Sequence, residues 1–390
     1  MPDVFDIAVI GLGAVGSATL LQAAERGLAC VGIDRFVPPH VWGSSHGETR
    51  ITRQAIGEGL SYVPLAIRSH EIWRDLERRT GRELLTAAGC LVLADGGGTS
   101  AESFISRTIA AAERFDIEHA TLDSDAIRRR FPQFAVGRAD RAYFEPGGGY
   151  LHVERCIATN VMLARAAGAA CRLGETVAAI HPEANHVVIE LDSGERILAA
   201  QAVVAAGSWA GGLLGEPFAS WLTPTRQIMH WFPLDPAPAL TRAWTASPVF
   251  IWSHPDRTRD FYGFPSIDGG CTIKTANEQP PVAVAPDTMD RIAGPDEATR
   301  MHAEHLAARL IGVQASAARS ATCLYTQSPD AHFVIDRHPD SDRLLVASPC
   351  SGHGFKHAAA IGEAIAARLA GGSTDIDLEA FRLARLQTVR

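Results

Sequence analysis

"FDIAVIGLGAVGSATLLQAAERGLACVGIDR" (residues 5–35) passes from strand to helix to strand patterns, in the order of a βαβ unit. The apolar run Ile7–Ile10 is typical of a buried parallel strand, and a glycine-rich turn follows it. A helical pattern then continues to Arg26, and a second strand is expected over Ala29–Ile33. This stretch therefore predicts an α/β fold built on a parallel sheet.

Three glycines between the first predicted strand and the helix, Gly11, Gly13 and Gly16, have the spacing G-x-G-x-x-G. In such a motif the first glycine makes the tight turn, the second lets the backbone approach a pyrophosphate, and the third allows close packing of helix on strand. The helix N-terminus offers free N–H groups to phosphates, and Asp34 can accept hydrogen bonds from both ribose hydroxyls. We therefore predict a dinucleotide site. Asp34 disfavours NADP, whose 2′-phosphate it would repel, and leaves NAD and FAD as alternatives.

The remainder of the chain alternates between two characters. A helix is predicted from about Tyr62 to Arg79, and from Thr225 onward aromatic and β-branched segments predict an antiparallel sheet. Helices are also expected over Pro295–Ile311 and from about Phe355 to Leu369. We predict an α/β protein with a discontinuous Rossmann-like domain and an α+β, sheet-rich substrate domain. The first takes residues 1–85, 150–215 and 320–390, and the second takes residues 86–149 and 216–319.

Composition excludes several classes of protein. The chain has 390 residues and a net charge of −8, and no Lys/Arg block indicates a nucleic-acid partner. Seven cysteines at irregular spacing do not form a disulfide framework, and no export signal is seen, so we expect a cytoplasmic protein. The long uncharged stretch Ile197–Gly215 is interrupted by glycines and polar residues, so we predict no membrane span.

A second glycine-rich turn, "SGHGFK" (residues 351–356), opens the last predicted helix. The free N–H groups there could bind an anionic or carbonyl-rich part of a cofactor, and Lys356 could meet a carboxylate. The alternative is an ordinary strand-to-helix turn with a solvated lysine. The residues alone leave both interpretations open.

The segment "SSHGETRITRQ" (residues 44–54) brings His46, Arg50 and Arg53 together. A guanidinium group suits a substrate carboxylate or an anionic ring edge, whereas surface salt bridges to Glu48 or Glu58 are the alternative.

Two further features concern a single lysine and a group of histidines. Lys274 is either a buried activated amine or a lysine at the edge of a strand. The histidines at 46, 353 and 357 have no acid or cysteine at ligand spacing nearby, so we predict no metal site.

Motifs along nearly the whole chain resemble one family, the covalent flavoprotein amine oxidases that include monomeric sarcosine oxidase and N-methyltryptophan oxidase. The matching stretches are "VIGLGAVG", "PPHVWGSSHGETRITRQAIGEG", "YVPLAIRS", "AAGSW", "FYGFPS", "CLYTQSPDAHFVID", "SGHGFK" and "DLEAFRLARLQ". The resemblance implies FAD rather than NAD. It also implies an oxidase of secondary amines that uses molecular oxygen, most plausibly on N-methyl or other N-alkyl amino acids, with aldehyde, free amino acid and hydrogen peroxide as products.

The resemblance also assigns roles to individual residues. Cys323 matches the cysteine that carries the flavin through an 8α-S-cysteinyl bond, and Arg53 and Lys356 match the pair that holds the substrate carboxylate. Arg50 and Lys274 match cations beside the flavin ring, with Lys274 favouring oxygen reduction. The remaining matched positions line the pocket or contact the flavin: His46, Tyr262, Ser44, Val177, Gly207, Trp209, Gly352 and Gly354.

This chain departs from the family pattern at the substrate wall. Gln54 and Ile56 replace a histidine and a tyrosine, and Asn277 or Glu278 stands where a histidine usually follows the matched lysine. The reaction class is therefore predicted more firmly than the substrate. A cyclic imino acid oxidase, an amine dehydrogenase and the flavin subunit of a multi-subunit sarcosine oxidase remain alternatives, and we expect a monomer.

Overall fold

The computed structural model describes residues 4–97, 103–255 and 259–388. Within these ranges the strands, in chain order, are β1 (Val4–Ile10), β2 (Cys30–Asp34), β3 (Thr49–Thr52), β4 (Leu85–Thr86), β5 (Cys90–Ala94), β6 (Ala120–Asp123), β7 (Arg141–Glu145), β8 (Gly149–His152), β9 (Ala170–Leu173), β10 (Val177–Pro182), β11 (Val187–Leu191), β12 (Arg196–Val204), β13 (Thr223–Pro233), β14 (Val249–Ser253), β15 (Phe261–Gly263), β16 (Thr272–Asn277), β17 (Arg319–Gln327), β18 (Val334–His338) and β19 (Ser341–Ser348).

The α-helices of the same ranges are α1 (Ala14–Glu25), α2 (Val63–Thr80), α3 (Phe104–Arg114), α4 (Ser124–Arg130), α5 (Val153–Ala166), α6 (Ala210–Leu214), α7 (Phe218–Trp221), α8 (Pro238–Thr245), α9 (Pro295–Met301) and α10 (Ala358–Leu369). Short 3₁₀ or π segments occupy Leu60–Tyr62, Asp95–Gly97, Gly207–Trp209, His302–Leu306, Phe355–His357, Glu379–Phe381 and Leu383–Thr388. The helix predicted over Pro295–Ile311 is therefore α-helical only as far as Met301.

The first sheet has the order β10-β11-β12-β1-β2-β9, with β19 added along β12 and β18 along β19. β1 and β2 pair in parallel, with Ile7 opposite Cys30 and Ile10 opposite Ile33. On the other side of β1 the parallel pairing continues, first with β12 and then from β12 to β19. The predicted βαβ unit and the α/β fold are confirmed.

Helices α1 and α10 pack against each other over this sheet and are buried on nearly every side. Leu20 and Leu21 of α1 and Ile361 and Ile365 of α10 are at most 1% exposed. A helix that is apolar around its whole circumference belongs in an interior. The core of the first domain therefore includes the helix that the glycine motif opens.

The second sheet has the order β17-β13-β16-β15-β14-β5-β7-β6. Its pairs are antiparallel except for β5 and β14, which run parallel. The expected antiparallel sheet is thus present, and the chain segments 86–149 and 216–319 both contribute strands to it. β17 (Arg319–Gln327) lies almost wholly in the range 320–390 that was predicted for the first domain. It pairs along β13, however, so it belongs to this second sheet, and the prediction is wrong for these residues.

A small third sheet has the order β3-β8-β4, and Arg50 is on its strand β3. Among the described parts of the chain, no helix is long and apolar enough to cross a membrane.

Candidate active site

A cavity of about 1120 Å³ is lined by residues of all three sheets. Ile10 and Asp34 come from the C-terminal ends of β1 and β2, Arg50 from β3, and Tyr262 from β15. Ligands of α/β proteins bind at the carboxyl ends of parallel strands, and clefts between domains are common sites. The cavity therefore lies where the sequence predicts a ligand.

The glycine motif forms the wall at the end of β1. Gly11 has φ +89°, and a Cβ there would lie 2.6 Å from the carbonyl oxygen of Ala205. A Cβ on Gly16 would overlap the carbonyl oxygen of Gly11, so Gly16 serves helix packing and does not line the cavity. Gly13 lines the cavity directly before α1, where a side chain would meet only Ser45 Oγ, at 3.8 Å. Close backbone contacts thus exclude a side chain at Gly11 and Gly16, while the role of Gly13 toward a pyrophosphate stays a prediction.

Asp34 ends β2 with its carboxylate held by backbone. Oδ2 accepts a hydrogen bond from Leu12 N (2.7 Å) and Oδ1 from Phe36 N (2.8 Å). Asp34 lines the cavity, as do four predicted cofactor residues, Ser44, Val177, Gly207 and Trp209. The predicted dinucleotide residues are therefore brought to one end of the cavity.

Two cations and one carboxylate meet in another part of the cavity wall. Arg53 is 1% exposed and donates to Glu58 Oε2 (2.8 Å) and to the carbonyl oxygen of Ala55. Lys356 is 6% exposed, donates to the carbonyl oxygen of His353 (2.8 Å), and lies 3.9 Å from Glu58 Oε1. The arginine thus has the acidic partner that the alternative interpretation named, but the pair is in the cavity wall and not on the surface.

Burial and charge set the protonation of this group. Burial lowers the pKa of Lys356 to about 8, although Glu58 acts in the opposite direction. Burial alone would raise the pKa of Glu58, but the charges of Arg53 and Lys356 hold that pKa well below its ordinary value. The group therefore carries two positive charges and one negative charge below about pH 8, a net positive charge that suits an anionic ligand.

Gly352 and Gly354 line the cavity beside Lys356. A Cβ on Gly352 would approach Tyr325 Cε2 to 2.9 Å. Tyr325 also lines the cavity, and its hydroxyl oxygen is 3.4 Å from that of Tyr262. The second glycine-rich turn thus lines the cavity, and the alternative of an ordinary turn with a solvated lysine is wrong, because Lys356 is buried.

Arg50 lines the cavity without a carboxylate partner in the described structure. Its guanidinium donates to the carbonyl oxygens of Ser44 (2.7 Å) and Thr49 (3.0 Å) and contacts Met229 Sδ (3.6 Å). Glu48, the alternative partner, bonds instead to Trp231 and Arg319. The charge of Arg50 therefore remains available at the cavity.

Lys274 and His46 lie behind the cavity wall, each 4% exposed. Lys274 is on β16, between β13 and β15, so the alternative of an edge lysine is wrong. Its Nζ donates to the carbonyl oxygens of Gly47 and Thr49 (2.7 Å each), and burial and Arg50 lower its pKa. Burial and the same arginine lower the pKa of His46 to about 3, so this imidazole is neutral.

Cys323 is 1% exposed on β17 and is also absent from the cavity wall. It packs with Met229, Trp231 and Ala276, and the two tyrosines of the wall, Tyr262 and Tyr325, pack against the same cluster. Burial raises the pKa of its thiol. Cys323 therefore lies one layer behind the cavity in this structure.

Several residues of the wall were not predicted from the sequence. Cys350 lines the cavity and accepts a hydrogen bond from Thr326 N (3.3 Å), and Glu58 and Tyr325 also belong to the wall. Glu58 and Tyr325 lie inside the motifs that resemble the family, so those motifs could have indicated them as site residues. Cys350 directly precedes one of the motifs. In the described ranges no group of three or more His, Cys, Asp and Glu side chains could hold a metal ion.

The residues of the cavity fit a flavin dinucleotide. A glycine cradle that excludes Cβ atoms, a helix N-terminus and a held carboxylate occur together along one wall. The cavity volume, about 1120 Å³, slightly exceeds the usual range for small-molecule and cofactor sites, about 300–1,000 Å³.

Comparison with known proteins agrees with this fit. The sequence profile of the FAD dependent oxidoreductase family matches residues 6–368. The monomeric sarcosine oxidase of Streptomyces avermitilis is 35% identical over 391 residues, covering 99% of each chain. The N-methyl-L-tryptophan oxidase of Yersinia pestis is 35% identical over 394 residues, covering 98% of this chain and all of its own.

A solved structure is similar over almost the same length. NikD, described as an unusual amino acid oxidase essential for nikkomycin biosynthesis, superposes with a TM-score of 0.83 at 26% identity, covering 97% of each chain. With the profile match and two relatives of nearly full length, the chain belongs to the FAD-dependent oxidoreductase family that includes monomeric sarcosine oxidase and N-methyl-L-tryptophan oxidase.

Proposed function

We propose that this chain is an FAD-dependent oxidase of secondary amines, acting on N-methyl or other N-alkyl amino acids. The products would be an aldehyde, the free amino acid and hydrogen peroxide. Relatives named for the oxidation of sarcosine and N-methyl-L-tryptophan support the class. The observation that carries the proposal is the pair Arg53 and Lys356, two buried cations in the wall of a cavity that also contains the dinucleotide motif.

The dinucleotide end would hold FAD through residues already described. Gly11 and Gly13 would meet the pyrophosphate with the N-terminus of α1, and Asp34 would meet the ribose. Bound FAD would supply the oxidation, taking two electrons and two protons from the CH–NH unit of the amine and passing them to oxygen as hydrogen peroxide, while water hydrolyses the resulting imine to the aldehyde and the free amino acid. Ser44, Val177, Gly207, Trp209, Gly352 and Gly354 would complete the cofactor contacts.

Arg53 and Lys356 would anchor the substrate carboxylate. Two charge-assisted contacts fix both position and orientation of the amino acid, which is the main contribution a protein makes to such a reaction. Because Arg53 and Lys356 share one carboxylate, that of Glu58, the substrate carboxylate would supply the second negative charge of the group and leave no buried cation uncompensated. Tyr262 and Tyr325 would border the bound amine.

Arg50 and Lys274 would supply positive charge on the flavin side. Negative charge develops as oxygen is reduced, and fixed cations in a buried site stabilise that charge without reorganisation. His46 would contribute a neutral imidazole close to both cations, because burial lowers its pKa.

Cys323 would carry the flavin through an 8α-S-cysteinyl bond. The support is its match to the motif of the covalent family and its position directly behind Tyr262 and Tyr325. Cys350 has a thiol at the cavity wall itself, and its Sγ accepts a hydrogen bond from Thr326 N. The two cysteines can be distinguished by experiment, as described below.

The experiment that tests the proposed function is detection of peroxide across a panel of N-methyl, N-alkyl and cyclic amino acids. We expect peroxide with at least one acyclic N-alkyl amino acid and much less with the matched amine that lacks the carboxylate. In the Arg53→Met variant, the amino acid and the amine that lacks the carboxylate should give similar rates of peroxide formation. Flavin reduction by amines without peroxide formation would contradict an oxidase, and turnover restricted to cyclic imino acids would contradict the substrate class.

We further propose that the chain acts as a cytoplasmic monomer with the domain division predicted from the sequence, except that β17 (Arg319–Gln327) belongs with the second sheet. The two large sheets support two domains, since one buried cluster belongs to the first sheet and another to the second, while a third cluster contains residues of both sheets. Gel filtration of the flavin-loaded protein at several concentrations tests the oligomeric state.

A further inference from the structure

A turn made by Gly47, Glu48 and Thr49 connects the predicted flavin-side residues. It stands directly after His46 and directly before Arg50. Gly47 and Glu48 both have left-handed backbone conformations, with φ of +89° and 72°. Such a conformation is costly for a residue with a Cβ and persists where surrounding contacts hold it. The contacts of this turn therefore matter for everything it carries.

Glu154, at the start of α5, holds the turn from one side. Its Oε1 accepts hydrogen bonds from Gly47 N (2.7 Å) and Glu48 N (3.1 Å), and its Oε2 accepts a second from Glu48 N (3.2 Å). Two successive backbone N–H groups that converge on one anion form a concave anion site. Here the anion is a side chain of the protein itself, 106 residues along the chain.

Lys274 holds the same turn from the opposite side, through its carbonyl oxygens. Its Nζ donates to Gly47 O and Thr49 O, and the ammonium lies 4.0 Å from the centre of the Phe264 ring. The N–H groups thus point to a carboxylate and the C=O groups to an ammonium. Carboxylate, peptide groups and ammonium form one polarised chain, in which each member strengthens the next.

We propose that Glu154 is a positioning residue for the oxygen half of the reaction, acting through the Gly47–Thr49 turn on Lys274 and Arg50. The inference rests on the proposed function only in assigning Lys274 to oxygen reduction. Glu154 does not line the cavity, so it acts through other residues.

The charges around Lys274 give the direction of the effect. Arg50 lowers the pKa of Lys274, whereas Glu48, Glu154 and Cys323 raise it, and burial is the largest influence, lowering it. The rings of Phe264 and Trp231 face it without titrating. Removing the charge of Glu154 lowers the pKa of Lys274 further, so the ammonium form is lost at lower pH.

The test compares Glu154→Gln with Glu77→Gln in the flavin-loaded protein. Glu77 is a matched control because its carboxylate also accepts from two successive backbone N–H groups, Leu84 N (2.7 Å) and Leu85 N (2.8 Å), away from the cavity. The flavin is reduced by light instead of by an amine and then mixed with oxygenated buffer between pH 6 and 10. Amide hydrogen exchange of the peptide that contains Gly47 and Glu48 is measured in parallel.

We expect Glu154→Gln to raise exchange of that peptide and to slow reoxidation by about tenfold, the size of one charged hydrogen bond. The decline of reoxidation with rising pH should begin at lower pH than in the parent protein. Glu77→Gln should change neither. Flavin reduction by an amine substrate should stay within about threefold in both variants, since neither contacts the carboxylate anchor.

The proposal is overturned if Glu154→Gln leaves amide hydrogen exchange of the Gly47–Glu48 peptide unchanged. It is also overturned if that exchange becomes faster while the flavin is reoxidised at the rate of the parent protein. If Glu154→Gln does not retain flavin, Glu154→Asp replaces it in the same measurements, and loss of flavin from both variants would show a general structural role and also overturn it. Because light reduces the flavin, a chain that oxidises no amine can still show the Glu154 dependence. Failure of the proposed function and failure of this inference are therefore separate outcomes.

Discussion

Three charged side chains, Arg53, Glu58 and Lys356, give one part of the cavity wall a net positive charge. Removing an ion from water costs several kcal/mol even after relaxation, so buried ions are kept only with partners. Glu58 is shared between the two cations, at 2.8 Å from Arg53 and 3.9 Å from Lys356. One carboxylate cannot fully compensate two cations, and the remaining positive charge is a reason for a substrate carboxylate to enter.

The lowered pKa of Lys356 predicts how carboxylate binding depends on pH. Burial lowers this pKa to about 8, so the ammonium is present below that pH and is lost as the pH rises through it. A ligand carboxylate binds the ammonium form, so its affinity should fall by up to about tenfold per pH unit above pH 8. Spectral titration of the flavin with a carboxylate inhibitor between pH 6 and 10 measures this.

Lys356→Met should bind the same inhibitor more weakly at pH 7 and lose the pH dependence around pH 8. An inhibitor without a carboxylate provides the control, since it should show no such change in either protein. Constant affinity of the carboxylate across pH 7–9 in the parent protein would argue against Lys356 as part of the anchor.

The two cysteines near the wall predict different outcomes for the covalent bond. Cys323→Ser should release all yellow colour from the polypeptide on acid precipitation, because serine oxygen does not replace the thioether. Cys350→Ser should keep the colour on the polypeptide, although Cys350 is the cysteine that lines the cavity. Absorbance of pellet and supernatant measures both, and the reverse pattern would move the attachment site to Cys350.

At the scale of single elements, strand β3 shows what local sequence can and cannot predict. The spacing of Arg50 and Arg53 was visible in the sequence, and both line the cavity. The carboxylates that hold the ends of this segment were not visible, because Glu145 binds Gln54 N from 91 residues away and Glu154 binds Glu48 N from 106. Neither belongs to a local pattern, so only the fold brings them there.

Helix packing shows a similar division. The helical pattern after Gly16 and the final helix were predicted from periodicity, and α1 and α10 bear this out. Their close contact was not predicted, because it depends on Gly362, an isolated glycine within a helical pattern. A Cβ on Gly362 would lie 2.6 Å from Ala18 Cβ and 2.7 Å from Thr19 N.

Gly362→Ala should therefore destabilise the protein despite the better helix propensity of alanine. The propensity gain is about 1 kcal/mol, whereas forcing a methyl group into a packed interface costs about 1–3 kcal/mol, more where backbone must move. We expect a net loss in the free energy of unfolding, measured by urea denaturation. Gly212→Ala in α6, where a Cβ would meet no atom within 4 Å, is the matched control and should be neutral or stabilising. Equal stability of the two variants would contradict the packing argument.

At the scale of the whole molecule, the sequence predicted the α/β region, the antiparallel sheet and a dinucleotide site, but not which residues of the second region reach that site. The residues between β16 and α9 form a loop that contains the proline-rich stretch "PPVAVAP" (residues 280–286). In the structure Pro286 and Asp287 of this loop line the cavity together with Arg35 and Trp209 of the first domain. Trp209 and Asp287, which form a hydrogen bond, are 78 positions apart in the sequence. No local sequence pattern therefore contains this contact.

Asp287 makes the polar link between this loop and the dinucleotide end. Its Oδ1 accepts hydrogen bonds from Arg35 Nη1 and from Trp209 Nε1, both at 2.9 Å. Arg291 adds a second link, donating to the carbonyl oxygen of Trp42 (3.1 Å) and lying 4.8 Å from the centre of the Trp42 ring. Through these side-chain contacts, the loop is held against the cavity wall beside Asp34.

Opening this link should speed the release of a flavin that is not covalently attached. The Asp287 side chain is 59% exposed and that of Arg35 is 33% exposed, so the ion pair contributes only about 0–1 kcal/mol, and the Trp209 hydrogen bond about 1 kcal/mol. In a Cys323→Ser background, Asp287→Ala should therefore weaken FAD binding by roughly tenfold, mostly through a faster dissociation rate. Fluorescence recovery of released flavin after dilution measures this rate. Asp75→Ala, which removes an exposed ion pair to Arg78 on α2, is the control and should leave the rate unchanged. If Asp287→Ala releases flavin at the rate of the control, the loop does not hold the cofactor, and retention must come from the glycine cradle and the sheets alone.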